Sequence, residues 1–215
     1  MNRPRFGFLL ALFVLACRDG GAASAPTTVP DSPGTVLRVN GEAVLAEEVD
    51  LFAVPIGALE PQYLLLHRRR LALTNVVLPL AALRTLDREA HARAREEATS
   101  AQQLRPAELV ARASAVQGTF RELGLDLWCR ARGLSPGEWS GPLELVGRFV
   151  VVRLDEAQGS EEGEVLRLRV LEFPFVPGEL RERIEDALDR SLLEIVDPQW
   201  RETIPEVWQR RMSKP

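Results

Sequence analysis

Few side chains in this 215-residue chain could serve as nucleophile, base or metal ligand: two cysteines, Cys17 and Cys129, and two histidines, His67 and His91. Each histidine lies near arginines in a helix-like stretch, so both read as solvated helix residues, and no cluster has metal-ligand spacing. Cys129 follows Leu127 and Trp128, an apolar setting in which a thiol acts as a small hydrophobe. Nothing beside it would take its proton. The chain has no glycine-rich phosphate loop and no Gly-x-Ser-x-Gly elbow, and its net charge of -4 argues against nucleic acid as a partner. This inventory argues against a self-contained hydrolase, kinase or metalloenzyme; it assigns no catalytic residue, no metal and no cofactor.

Cys17 has a different setting. Arg3 and Arg5 precede an apolar run from Phe6 to Ala16, and the cysteine follows at once, which is the order of a signal peptide. The run is shorter than the ~20 residues of a membrane span. Val14-Leu15-Ala16-Cys17 resembles the bacterial lipobox, although Leu15 is larger than the residue usually found there. The resemblance implies that residues 1–16 are removed and that Cys17 is lipidated, joining the protein to a bilayer. A cleaved signal without lipid is the alternative. Residues 17–35 are Gly, Ala, Ser, Thr and Pro with almost no large apolar side chain, and read as a flexible tether. With Cys17 consumed by lipid, Cys129 has no partner for an internal disulfide.

The elements that position any site begin after the tether. Val36 to Val44 surrounds an Asn40-Gly41 step that favours a tight hairpin turn. Leu45 to Phe52 predicts a helix with its acids placed early. Pro61 to about Gln103 predicts two helices with a kink or break at Pro79, and Arg68-Arg69-Arg70 reads as a solvated turn, with anionic lipid headgroups as the alternative contact. Pro106 to about Arg132 predicts further helix, interrupted near Gly118 and Gly124. Leu143–Val146 and Phe149–Leu154 read as short strands about Gly147, and the alternation of Leu166, Leu168 and Val170 with Arg167 and Arg169 predicts a strand over 165–175. Leu180, Ile184, Leu188 and Leu192 recur at helical spacing. Asp197-Pro198 would cap a last helix carrying Trp200, Ile204, Val207 and Trp208, with both tryptophans as packing anchors.

Two stretches carry a resemblance. Val39-Asn40-Gly41-Glu42, running into Leu45-Ala46-Glu47-Glu48-Val49, is similar to the opening of the N-terminal regions of SurA/PrsA-type foldases. Leu134-Ser135-Pro136-Gly137-Glu138-Trp139-Ser140-Gly141-Pro142-Leu143, then Gly147 and the apolar strand to Leu154, resembles the closing third of a parvulin peptidyl-prolyl isomerase domain. Gly124-Leu125-Asp126-Leu127-Trp128 echoes an earlier motif of that family. The departures are specific. The family's opening strand with its histidine has no counterpart between Ala92 and Leu134, and its later strand histidine falls on Phe149. The resemblance therefore implies a shortened, degenerate parvulin relative. Val165–Phe175 is the candidate substitute for the missing strand, paired with Phe149–Leu154.

The fold expected is α+β: a mostly helical lobe, built from N-terminal and C-terminal helices, around a small antiparallel sheet. The divisions are a signal peptide at 1–16, a tether at 17–35, a SurA-like helical region at 36–132, a parvulin-like sheet region at 133–176 and C-terminal helices at 177–215. The resemblance implies a membrane-anchored periplasmic accessory folding factor without catalysis, whose partners are unfolded or extended polypeptide. Trp139, Leu145 and Phe149 are the candidate peptide-binding residues; plain core packing is the competing reading of all three. An active isomerase and a structural lipoprotein of an envelope complex are the alternatives. Arg18, in place of the aspartate associated with inner-membrane retention, favours the outer membrane.

Overall fold

The structure, a computed structural model, describes residues 33–159, 163–206, 208 and 209; the expected signal peptide, Cys17, most of the expected tether and Val207 lie outside them. Strands β1 (Thr35–Val39) and β2 (Glu42–Leu45) form the expected hairpin. Asn40 and Gly41 both take left-handed conformations, φ 52° and 83°, the pair of angles that matches the twist of a two-residue hairpin. The other edge of β1 pairs with β7 (Leu193–Ile195), making a three-stranded antiparallel sheet in the order β2-β1-β7. That third strand corrects the reading of the C-terminal segment. Helix α8 (Leu180–Asp189) buries Ala187 and Leu188 and then stops, so Leu192 leaves the helical face and is 64% exposed.

Helix α1 (Ala46–Leu59) starts where the Glu48 carboxylate accepts from the Leu45 amide at 3.0 Å, satisfying a donor that the helix itself cannot. Helix α2 (Leu65–Ala72) returns beside it. Pro79 produces no break. A π-helical turn over Leu73–Val77, closed by the Leu78 amide donating to the Leu73 carbonyl oxygen, runs directly into α3 (Leu78–Leu86), and this local change of hydrogen-bond spacing accommodates Pro79 in the first turn of that segment. The break comes later, at Asp87, whose Oδ1 accepts from the Ala90 amide at 2.9 Å and starts α4 (Arg88–Ala101).

The arginine run is tied down rather than solvated. Arg69 donates to both carboxylate oxygens of Asp50 at 2.7 Å, Arg68 to the carbonyl oxygens of Tyr63 and Pro61, and Arg70 to that of Glu202. The Arg69 guanidinium also lies 4.4 Å from the ring centroid of Trp200. One short segment thus fastens α2 to α1 and to the C-terminal 3-10 turn Pro198–Thr203, which Asp197 caps by accepting from the Gln199 amide. Trp200 is buried and Trp208 packs on the core, both as anchors.

The second sheet has four antiparallel strands in the order β3-β6-β5-β4. β4 (Leu143–Leu145) and β5 (Arg148–Gln158) join through Val146-Gly147, and β6 (Val165–Pro174) pairs along β5. Leu166, Leu168 and Val170 are buried, while Arg167 meets Glu156 and Arg169 meets Asp155 on the other face. β3 (Ser114–Gly118) adds to the free edge of β6. The interruption expected near Gly118 is thus a strand rather than a break between helices, and it carries the sheet across the division drawn at residue 133. Short helices α5 (Pro106–Arg112), α6 (Phe120–Leu123) and α7 (Leu125–Arg132) surround that strand. Gly124, placed in a parvulin echo by sequence, is the N-cap of α7. Together the two sheets and the eight helices among the described residues make an α+β fold.

Candidate functional site

The Pro-Gly-Glu stretch folds against β5. Ser135 to Glu138 closes a turn, with the Glu138 amide donating to the Ser135 carbonyl oxygen, and Gly137 has φ 87°. The chain then runs beside β5: the Gly137 amide donates to the Leu154 carbonyl oxygen at 2.8 Å, Trp139 bridges to Arg153, and the Ser140 amide donates to the Val152 carbonyl oxygen at 2.7 Å. The Ser140 hydroxyl accepts from the Val152 amide at 2.9 Å before Gly141-Pro142 turns the chain into β4.

The three residues expected to bind peptide do not share a surface. Glu144 pairs with Phe149 and Leu145 with Arg148. Because successive strand residues point to opposite faces, Leu145 lies on the face of β4 away from Phe149, and it is fully buried. Trp139 is half-buried beneath the Arg153 guanidinium, 5.7 Å from the ring centroid. Phe149 is buried too, with one edge on a cleft.

That cleft, of about 580 Å³, is rich in charged side chains. It is lined by Arg84 of α3, by Arg88, His91, Arg95 and Thr99 of α4, by Arg130 of α7, by Pro142, and by Glu42, Glu144 and Phe149 of the strands. Helix α4 presents small residues inward, with Ala94, Ala98 and Ala101 buried, so its backbone comes close to the sheet. His91, Arg95 and Thr99, at four-residue spacing, follow the flank of that alanine stripe.

His91 is therefore not a solvated helix residue. Its ring lies between Phe149 and Phe175, with centroids at 5.0 and 4.9 Å, and its Nε2 is 2.8 Å from Glu144 Oε1. A carboxylate only accepts, so this contact assigns the hydrogen to Nε2. Arg84 donates from Nε and Nη2 to the two Glu144 oxygens at 2.7 Å. Burial alone would raise the Glu144 pKa, but the hydrogen bond and charge of Arg84, then those of His91, hold it below its ordinary value. The Arg84 guanidinium, despite its own burial, is held above its ordinary value by Glu144. His91 thus stands against the strand position where the parvulin resemblance would place a histidine, but it comes from a helix.

The remaining candidate nucleophile is inert. Cys129 is buried, and burial first, then the charge of Asp126, pushes its thiol up to about 12 against the opposing pull of Arg132 and Arg130. Among the described residues no group of His, Cys, Asp and Glu side chains could hold a metal ion, and no helix is long and apolar enough to cross a membrane.

A different surface is apolar and uncovered. On the α1–α2 hairpin, Val54 is 65% exposed, Leu64 70%, Leu65 51% and Leu51 43%. The Asp50–Arg69 pair fixes the antiparallel register, which places Val54 near the level of Leu65. Beside them a groove of about 410 Å³ is lined by Ile56, Leu59, Tyr63, Leu71, Phe120 and Leu125 among others. Composition alone could have flagged Tyr63-Leu64-Leu65-Leu66, but nothing local told which of those side chains the core would leave uncovered. Set against known proteins, the chain matches no family model, no curated protein and no solved structure.

Proposed function

We propose that this chain is a lipid-tethered accessory folding factor of the cell envelope that holds extended apolar segments of unfolded polypeptide and performs no catalysis. The observation that carries this reading is the uncovered apolar crest of Leu51, Val54, Leu64 and Leu65 beside the groove between Leu59 and Phe120. Exposed apolar side chains gathered on one helical hairpin suit an interaction site. Completing the burial of four such side chains supplies roughly 4–8 kcal/mol, from which the cost of association is subtracted, so the net binding is weak. That strength suits a holder that must let go.

The resemblance to SurA/PrsA-type foldases supports the same reading. The Pro-Gly-Glu turn lies along β5, and Val165–Pro174 lies beside β5, where the resemblance needs a substitute strand. The lipobox-like Val14–Cys17 and the tether supply the anchor and the reach. Arg18, in place of the aspartate associated with inner-membrane retention of bacterial lipoproteins, favours outer-membrane over inner-membrane attachment.

The test uses the full chain reconstituted in nanodiscs. It should suppress aggregation of an unfolded outer-membrane protein, and a Val54→Asp/Leu64→Asp/Leu65→Asp variant should lose that effect at unchanged melting temperature. No suppression at stoichiometric excess, or full suppression by the variant, refutes the proposal. The His91–Phe149 contact gives an isomerase one specific argument, so a protease-coupled proline-peptide assay belongs in the same experiment. A rate equal to buffer is the expected result, since uncatalysed isomerisation takes tens of seconds or longer.

A further inference from the structure

The cleft on α4 holds more positive charge than the fold uses. Its lining has four guanidinium groups, Arg84, Arg88, Arg95 and Arg130, against two carboxylates, Glu42 and Glu144. Glu144 is spent on Arg84 and His91, and Glu42 lies 3.7 Å from Arg88. Two bordering carboxylates are committed to backbone amides: Glu48, 3.9 Å from Arg84, accepts from Leu45, and Asp126 accepts from Leu127 and Val146. Arg95 and Arg130 form no ion pair with the described residues.

Arg130 is the telling member. Its guanidinium is stacked over the Phe52 ring at 5.5 Å, and its Nε is buried with no hydrogen-bond partner. An unmade bond from a buried charged donor is costly. Burial, and then the like charge of Arg84, outweighs the pull of Glu144 and lowers the Arg130 pKa. Such a group is fixed in place, poorly solvated and one acceptor short.

We propose that this cleft binds a phosphate-monoester dianion between Arg88, Arg95 and Arg130, with Arg84 and Glu144 as its fixed wall. The class follows from charge and shape. Two unpaired cations match a dianion, and guanidiniums converging from α4 and α7 suit the several acceptor oxygens of a tetrahedral group better than the two coplanar oxygens of a carboxylate. Phe149 and Pro142 give the ester's organic part an apolar wall. The ester could belong to a lipid headgroup or to a soluble metabolite, and the experiment separates the two. This site is distinct from the apolar crest on α1 and α2.

The full chain in a phosphate-free maltoside detergent is titrated calorimetrically with methyl phosphate and with acetate at constant ionic strength. Saturable methyl phosphate binding with a Kd of about 1 mM or tighter, and acetate at least roughly ten-fold weaker, is the expected result. Exposed Arg95 can be changed without disturbing the core, so Arg95→Gln should weaken binding by roughly five-fold or more; Arg130→Gln should do the same, while Arg93→Gln, outside the cleft, should not. Displacement of methyl phosphate by phosphatidic acid mixed into the same detergent micelles, but not by phosphatidylcholine, assigns the ester to lipid; methyl phosphate binding that phosphatidic acid does not displace assigns it to a soluble compound. No saturable binding, equal binding of acetate, or an unaffected Arg95→Gln variant overturns the proposal.

Discussion

Arg84 grips Glu144 with two parallel hydrogen bonds of 2.7 Å, and these residues are separated by 60 positions in the chain. The pair fastens the end of α3 to β4, while His91 fastens α4 to the same carboxylate. Charge thus joins α3 and α4 to the four-stranded sheet here, as it joins α7 to the start of β6 through Arg132 and Glu164. Glu144→Gln removes the charge and leaves Arg84 half-buried without its partner, which should cost about 2–3 kcal/mol. The Glu144 pKa is lowered in the folded state, so its contribution is present above the ordinary carboxylate value and lost as pH falls through the folded one. In urea denaturation the wild-type advantage over Glu144→Gln should hold at neutral pH and shrink below about pH 4.3. Equal midpoints at neutral pH would refute this account.

Asn40 clasps three segments. Its Nδ2 donates to Thr85 Oγ1 at 2.6 Å and to Ser191 Oγ at 3.1 Å, and its Oδ1 accepts from the Leu192 amide at 2.8 Å. It does so from a left-handed backbone, which Asn tolerates better than Ala does. Asn40→Gly keeps the turn and loses the clasp, about 1–2 kcal/mol; Asn40→Ala should cost about 1 kcal/mol more, for the strain. Thermal melts of the two variants check the order, and a Gly variant less stable than the Ala variant would contradict it.

The contrast between Asn40 and His91 shows what was legible beforehand. The Asn40-Gly41 turn is written in adjacent residues, as are the alternation of β6 and the cap at Asp197. Pro79 predicts a kink or a break because a proline's missing amide is local knowledge, whereas the π turn that accommodates it depends on how Leu73, Val76 and Val77 pack. β3 has little hydrophobic signal of its own; its strand character comes from the free edge of β6. β7 is three residues and owes its form to β1. The cleft is less legible still, since its histidine and carboxylate lie 53 residues apart. Its one local trace was the four-residue spacing of His91, Arg95 and Thr99. As for the three expected peptide-binding residues, the alternation of Leu143, Glu144 and Leu145 already separates Leu145 from any face that Glu144 shares.

Arg69 is a second charged fastener, with a different chemistry. It bonds both oxygens of Asp50 and stacks on Trp200, and Asp50 holds its pKa above the ordinary value, first through the hydrogen bond. A lysine keeps the charge but loses the planar fork and most of the stacking. Arg69→Lys should therefore cost about 1–2 kcal/mol in chemical denaturation. A lysine variant as stable as wild type would show that charge alone suffices there.

Cys129 offers the last test, and it reads two things at once. Its thiol is buried and pushed up to about 12, so in the native protein it stays neutral while in the unfolded chain it ionises near about 8.5. The stabilisation is complete below the unfolded value and is lost as pH rises from there towards the folded one, by about 1.36 kcal/mol per pH unit. Wild type should lose stability between those values more steeply than Cys129→Ala. A disulfide reagent should react with the native protein only through opening of the fold. In denaturant the count of reactive thiols then reports on the other cysteine: one if Cys17 carries lipid as a thioether, two if it does not. Rapid labelling of the folded protein at Cys129 would overturn the burial argument, and two thiols in the membrane-extracted chain would remove the anchor.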